Sequence, residues 1–237
     1  MDLHVVVDGM FWFLAFLFST TVHEACHAYV ALLGGDKTAY RGGQVSLNPI
    51  PHIRREPIGM LVVPLLTAFT QGWAMGWASA PFDPLWADRH PRRAAWMAAA
   101  GPAGNFLLAV ISWIALRIGL ATNFFMMPNR AGYGSLVMAA GDLPGKLAPF
   151  LAQGLSIMLM LNVLLGTFNL LPLPPMDGSA AAELLLPAAT ARKFRLAVRN
   201  PVFSLVGLLI AWQGFPYIAS PLFGLVLKSL YPGVTFR

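Results

Sequence analysis

The chain has 237 residues, of which 57% are hydrophobic and 11% charged, and its mean hydropathy is +0.64. A soluble domain carries about 25% charged residues, so these values exclude an ordinary water-soluble enzyme and indicate an all-α, polytopic membrane protein. The net charge of +6 invites a nucleic-acid partner. Its Lys and Arg, however, fall in loops between apolar runs, a pattern that suits anionic lipid headgroups and argues against nucleic acid.

The N-terminal stretch MDLHVVVDG lacks the leading positive charge of a signal peptide, and the apolar run after it is expected to be a retained helix. The single cysteine, Cys26, excludes an intrachain disulfide. Apolar runs occur at about 10–33, 57–79, 94–118, 148–175 and 201–227, each long enough to cross ~30 Å of hydrocarbon. The length accommodates about five or six embedded helices in one domain over 1–237. Its catalytic core is expected over about 10–178, with an additional C-terminal helix at 201–227.

Five full crossings give the two faces nearly equal numbers of Lys and Arg and assign no orientation. The run at 57–79 is the weakest, interrupted by Pro64 and diluted by Gly59, Gln71, Gly72 and Gly76. If it enters and returns to the same face, 34–93 and 177–200 share one side. That side collects eleven of the sixteen Lys and Arg, seven from the first segment and four from the second. By the positive-inside rule it is cytoplasmic.

Residues 23–27 read His-Glu-Ala-Cys-His. On a helix, positions i and i+4 share a face, so His23 and His27 can grip one ion. Glu24 lies beside the open position, where it can take a proton from an activated water and later pass it to a leaving amine. Zinc suits imidazole ligands and this chemistry. With five His and three Glu in the chain, a chance match is expected roughly once in a thousand such compositions. Ionisable residues inside a membrane span are costly and by default functional; buried structural histidines are the plainer alternative. Cys26 falls off the ligand face and is read as packing.

A catalytic zinc needs a third protein ligand. Among the acids (Asp2, Asp8, Asp36, Glu56, Asp83, Asp88, Asp142, Asp177 and Glu183) only Asp177 closes a long apolar span, in Asn-Leu-Leu-Pro-Leu-Pro-Pro-Met-Asp-Gly at 169–178. Pro172, Pro174 and Pro175 forbid a regular helix there, and irregular backbone at membrane depth survives only where it lines a cavity or is buried in protein. The competing reading is a capping Asp at a Pro-rich helix end. A re-entrant 57–79 makes the first span and the 148–175 span run in the same direction, so that His23, His27 and Asp177 fall toward one end.

These motifs resemble the site-2 protease family of intramembrane zinc metalloproteases, in its minimal group without PDZ or CBS domains. The resemblance rests on HEACH at 23–27, Gly-Gly-Gln-Val-Ser-Leu-Asn-Pro at 42–49 with His52, Ala-Gly-Pro-Ala-Gly-Asn at 100–105, and FNLLPLPPMDG at 168–178. It implies His23, His27 and Asp177 as ligands of one Zn2+ per chain and Glu24 as general base. It also implies that Asn169 and Asn105 hold the substrate, for which interhelical hydrogen bonding is the alternative. Asn162 is read as such glue. Arg54 and Arg55 depart from the acidic residue that relatives often carry after the His-Ile pair.

The expected substrate is a transmembrane protein segment, and the expected site lies in the cytoplasmic half of a prokaryotic cell membrane. A substrate helix must unwind before its carbonyls are accessible. The alternating stretch 43–48 is a candidate edge strand or small β-hairpin to receive it. Alternatives are a prenyl-protein type protease using Glu183 as third ligand, and an inactive metal-binding scaffold or transporter. The oligomeric state leaves no trace in the sequence.

Overall fold

Four long helices carry the fold in the computed structural model, which describes residues 3–141, 147–198 and 200–234. They are α1 (Leu3–Leu33), α6 (Pro91–Ala121), α7 (Leu147–Asn169) and α10 (Pro201–Leu230). All four are long and apolar enough to cross a membrane. Between α1 and α6 lie the short helices α2 (Thr38–Arg41) and α3 (Pro49–Arg55), a π turn at Ile58–Val62 running into α4 (Val63–Gln71), and α5 (Pro84–Arg89). Beyond α7 come α8 (Asp177–Ala181) and α9 (Ala188–Val198). Asp2, Asp142, Lys146, Arg199 and Arg237, which entered the acid and charge comparisons above, lie outside the described residues.

Cross-helix hydrogen bonds fix the directions. The Gln153 amide donates to Asp8 at 2.7 Å, and Asn162 to the Ser19 hydroxyl at 2.9 Å, so α1 and α7 run parallel. α6 runs against them, because Arg93 in its first turn donates to the Gly34 carbonyl at the far end of α1. At its other end Arg117 donates to the Leu230 carbonyl, which closes α10.

The segment after α3 does not cross. Pro64 has no N–H to give the preceding turn, and the backbone there widens into the π turn. α4 then stops at Gly72, whose φ of 76° is the left-handed conformation that ends helices. The chain comes back extended. Trp77 donates its N–H to the Gly59 carbonyl at 3.1 Å, the Ser79 hydroxyl to Glu56, and the Asp83 N–H to Asp36 at 2.8 Å. Both ends of 57–79 therefore meet at the Leu33 end of α1, as the re-entrant reading expects.

The β-element expected just after the first helix is not there. Residues 43–48 form turns, and the only sheet among the described residues pairs β1 (Phe125–Met126) antiparallel with β2 (Met138–Ala139). Side chains divert the backbone: Ser46 Oγ accepts from Asn48 N–H, and Asn48 Oδ1 accepts from Ile50 N–H to cap α3. Such local bonds compete directly with a ladder.

Two larger apolar clusters, with a small one of Ala31, Trp86, Ala87 and Met97, hold the helices. Trp12, Phe16, Ala68, Ile157 and Leu161 join α1, α4 and α7 in one cluster. Leu116, Phe125, Leu136, Met160 and Leu230 fasten the β1–β2 loop under α6, α7 and α10.

Candidate metal centre

Helix α1 places His23 and His27 one turn apart on the face toward α6, and their imidazole Nε2 atoms lie 3.0 Å from each other. Asp177 reaches the same point from the opposite half of the chain, with Oδ2 at 3.0 Å from His23 Nε2 and 3.3 Å from His27 Nε2. It is delivered by a tight proline turn. α7 ends at Asn169, before Pro172, earlier than the expected 175. The chain then folds back so closely that a β-carbon on Gly178 would lie 2.2 Å from the Leu170 carbonyl oxygen. Only glycine permits that approach. Among the described residues this is the only group of three or more His, Cys, Asp or Glu whose ligand atoms converge, all within 4.8 Å.

The far side of each imidazole fixes its tautomer. His27 Nδ1 lies 2.7 Å from the Met97 carbonyl oxygen, which can only accept, so Nδ1 carries the hydrogen. His23 Nδ1 lies 2.6 Å from Asn105 Oδ1. That oxygen is the acceptor because Asn105 Nδ2 donates to Asn162 Oδ1 at 2.8 Å and faces the Ser19 carbonyl. Both Nε2 lone pairs therefore point at each other and at a carboxylate. Such a cluster of acceptors is repulsive unless a cation lies among them.

The space also fits an ion. A β-carbon on Gly101 of α6 would lie 2.3 Å from His27 Nε2 and 2.5 Å from His23 Nε2, whereas zinc sits about 2.0–2.1 Å from imidazole nitrogen. Glycine leaves open the position that two imidazoles and a carboxylate surround. The donor set, two neutral imidazoles and one carboxylate, is one that zinc accepts while keeping a fourth position free.

Glu24 is buried at 5% exposure, and among the described residues its Oε2 has no hydrogen-bond partner. Asn105, at 0% exposure, turns its amide oxygen to His23 and its amide nitrogen to Asn162. Asn162 ties α6 and α7 to Ser19 of α1, the interhelical role expected of it. Asn169 is half-buried at the end of α7, its Nδ2 donating to the Leu165 carbonyl. Cys26 packs against Gly104 and takes no part in the cluster. Glu183 is held in two-pronged fashion by Arg195 and is absent from the cluster, which removes it as a third ligand. The roles of Gly101 and of the Asn105 link to His23 escaped the sequence reading; the Ala-Gly-Pro-Ala-Gly-Asn run was the one signal pointing to them.

Residues 11–212 match the family model described as peptidase family M50. The chain is 36% identical over 184 residues to a candidate zinc metalloprotease of Bacillus subtilis, YwhC, covering 76% of this chain and 70% of that one. It is 29% identical over 197 residues to a candidate zinc metalloprotease of Mycolicibacterium smegmatis, Rip2, covering 82% and 64%. No solved structure matches.

Proposed function

The chain belongs to peptidase family M50 and is a multi-pass membrane zinc metalloprotease, and we propose that it hydrolyses peptide bonds of transmembrane or membrane-proximal substrate segments. The resemblance to site-2 proteases thus stands as family membership. The observation that carries the finer reading is the convergence of His23, His27 and Asp177 beside a buried Glu24, ten residues short of the Leu33 end of α1. Ten helical residues span about 15 Å, which puts the chemistry at membrane depth.

In this reading His23, His27 and Asp177 hold one zinc per chain. When bound, zinc supplies a Lewis acid that acidifies water and polarises a peptide carbonyl. Glu24 takes the proton from the attacking water and passes it to the amine as the bond breaks. Asn105 and the Met97 carbonyl hold the imidazoles by their Nδ1–H groups, so that neither ring turns away from Asp177. Asn169 is assigned to the substrate and Asn105 to positioning His23. The substrate helix must unwind to offer a carbonyl. In this reading the site lies in the cytoplasmic half of a prokaryotic cell membrane, and the excess of Lys and Arg in the loops at the Leu33 end of α1 supports the cytoplasmic side.

The test uses wild type, Glu24→Gln and Asp177→Ala purified in detergent, with zinc per chain and cleavage of a transmembrane substrate measured together. Glu24→Gln is expected to keep its zinc and lose cleavage by about 10²-fold or more, whereas Asp177→Ala loses both. Full cleavage by Glu24→Gln would overturn the mechanism, and the inactive-scaffold reading predicts no cleavage even from wild type.

A further inference from the structure

Helix α10 follows the residues expected to form the catalytic core, yet it packs on the turn that delivers Asp177. Pro172, Pro174 and Pro175 have no N–H to donate, which leaves this turn short of hydrogen bonds of its own. Leu171 donates to the Phe168 carbonyl and Met176 to the Leu173 carbonyl, each only three residues back. A segment so lightly tied takes its position from what packs on it. Gly207 of α10 lies against its middle: a β-carbon there would sit 2.0 Å from the Pro174 carbonyl oxygen and 3.1 Å from the carbonyl carbon. Both are backbone atoms, which have no side-chain freedom with which to move aside. Eight residues further along α10, the Phe215 ring meets Phe168 near the end of α7, edge-on with centroids 5.0 Å apart. Ala211, between the two contacts in sequence, is buried. The far end of the helix is fastened separately, Arg117 donating to the Leu230 carbonyl and Trp113 to the Ser229 hydroxyl.

We propose that Gly207 is a positioning residue for the metal centre, through which α10 holds the proline turn where Asp177 meets His23 and His27. The inference rests on Asp177 being a zinc ligand. Pro174 is only three residues from that carboxylate, so a displacement of one carries to the other. A β-carbon at 207 needs at least 3.0 Å from the Pro174 oxygen, so the turn or the helix must give way by about 1 Å. Metal–ligand distances tolerate only about 0.2 Å. The catalytic unit therefore does not end at residue 178 but includes α10 as far as Phe215.

Gly207→Ala tests this, with Gly214→Ala as its control: the same change in the same helix, where a β-carbon meets nothing within 4 Å. Both are purified in detergent with wild type and Asp177→Ala. Zinc affinity is measured by competition with a chelator, and the thermal midpoint is measured after zinc has been removed. Gly207→Ala is expected to bind zinc about 10–100-fold more weakly, with a metal-free midpoint at or above that of wild type. Gly214→Ala should match wild type in zinc affinity. Phe215→Ala loosens α10 without crowding the turn, and covers the case in which Gly207→Ala does not fold; its zinc affinity should fall about threefold to tenfold. Wild-type zinc affinity in Gly207→Ala or in Phe215→Ala would overturn the proposal. So would a metal-free midpoint of Gly207→Ala below that of wild type, which would mark a general packing defect. Wild-type zinc affinity in Asp177→Ala would instead overturn the reading on which it rests.

Discussion

A methyl group added at Gly101 would occupy the point on which both imidazole Nε2 atoms converge, so Gly101→Ala probes the centre with a single carbon. Inside an ordinary helix the change from glycine to alanine stabilises by roughly 1 kcal/mol. Here it should weaken zinc binding on the order of 10–100-fold, measured by zinc per chain and by competition with a chelator. Zinc affinity equal to wild type would show that the ion sits elsewhere. The sequence made part of this centre readable at the level of single residues. His23 and His27 stand at helical spacing, and Asp177 is the one acid that closes a long apolar span. Gly101 was not readable, because a glycine among alanines looks the same whether it serves close helix packing or clearance for an ion. The substrate role of Asn105 is implied by the family resemblance alone, and the link to His23 was not readable, because only the fold brings the two side chains together.

Among the elements, the turn at the end of α1 joins the catalytic helix to the returning segment through one carboxylate. Asp36 accepts from the Thr38 N–H and hydroxyl on one oxygen and from the Asp83 N–H on the other. Burial pushes its pKa up, but these three hydrogen bonds, with Arg41 nearby, outweigh it and hold the carboxyl below its ordinary 3.8. A carboxyl depressed in the folded state stabilises the fold above its unfolded pKa, and that contribution is lost as pH falls through the lower, folded value. Asp36→Asn should therefore lower the thermal midpoint at pH 7, and the gap from wild type should close at pH values below 3.8. A constant gap across that range would assign the effect to packing. The elements themselves were legible where apolar runs are long. Residues 43–48 were not: Gln-Val-Ser-Leu-Asn alternates like a strand, but Ser46 and Asn48 bond locally and wind the chain into a cap. Periodicity registers side-chain polarity and is blind to that competition.

For the whole molecule the decisive quantity is direction. Loops before and after the returning segment are predicted to share a face, which single cysteines in a Cys26→Ala background can report. Leu47→Cys and Leu85→Cys, both at exposed sites, should react with an impermeant thiol reagent from the cytoplasmic side, and Tyr133→Cys from the opposite one. Reaction of positions 47 and 85 from opposite sides would mean that 57–79 crosses. Charge counting suggests this arrangement, and the hydrogen bonds from Trp77 to Gly59, from Ser79 to Glu56 and from Asp83 to Asp36, just beyond α1, give it a structural basis. Ile58–Gln71 holds fourteen residues, nine of them in α4, about 21 Å of helix where roughly 30 Å is needed to cross. Some six more apolar residues at its tip would let it through, and every later helix would then be threaded upside down. Asp177 would arrive on the wrong side of the bilayer with all its neighbours intact. Extra residues in the loop joining β1 to β2 would carry no such penalty. The protease thus depends on the shortness of one hairpin as strictly as on its ligands, and an insertion there would be a null allele without altering a single catalytic residue.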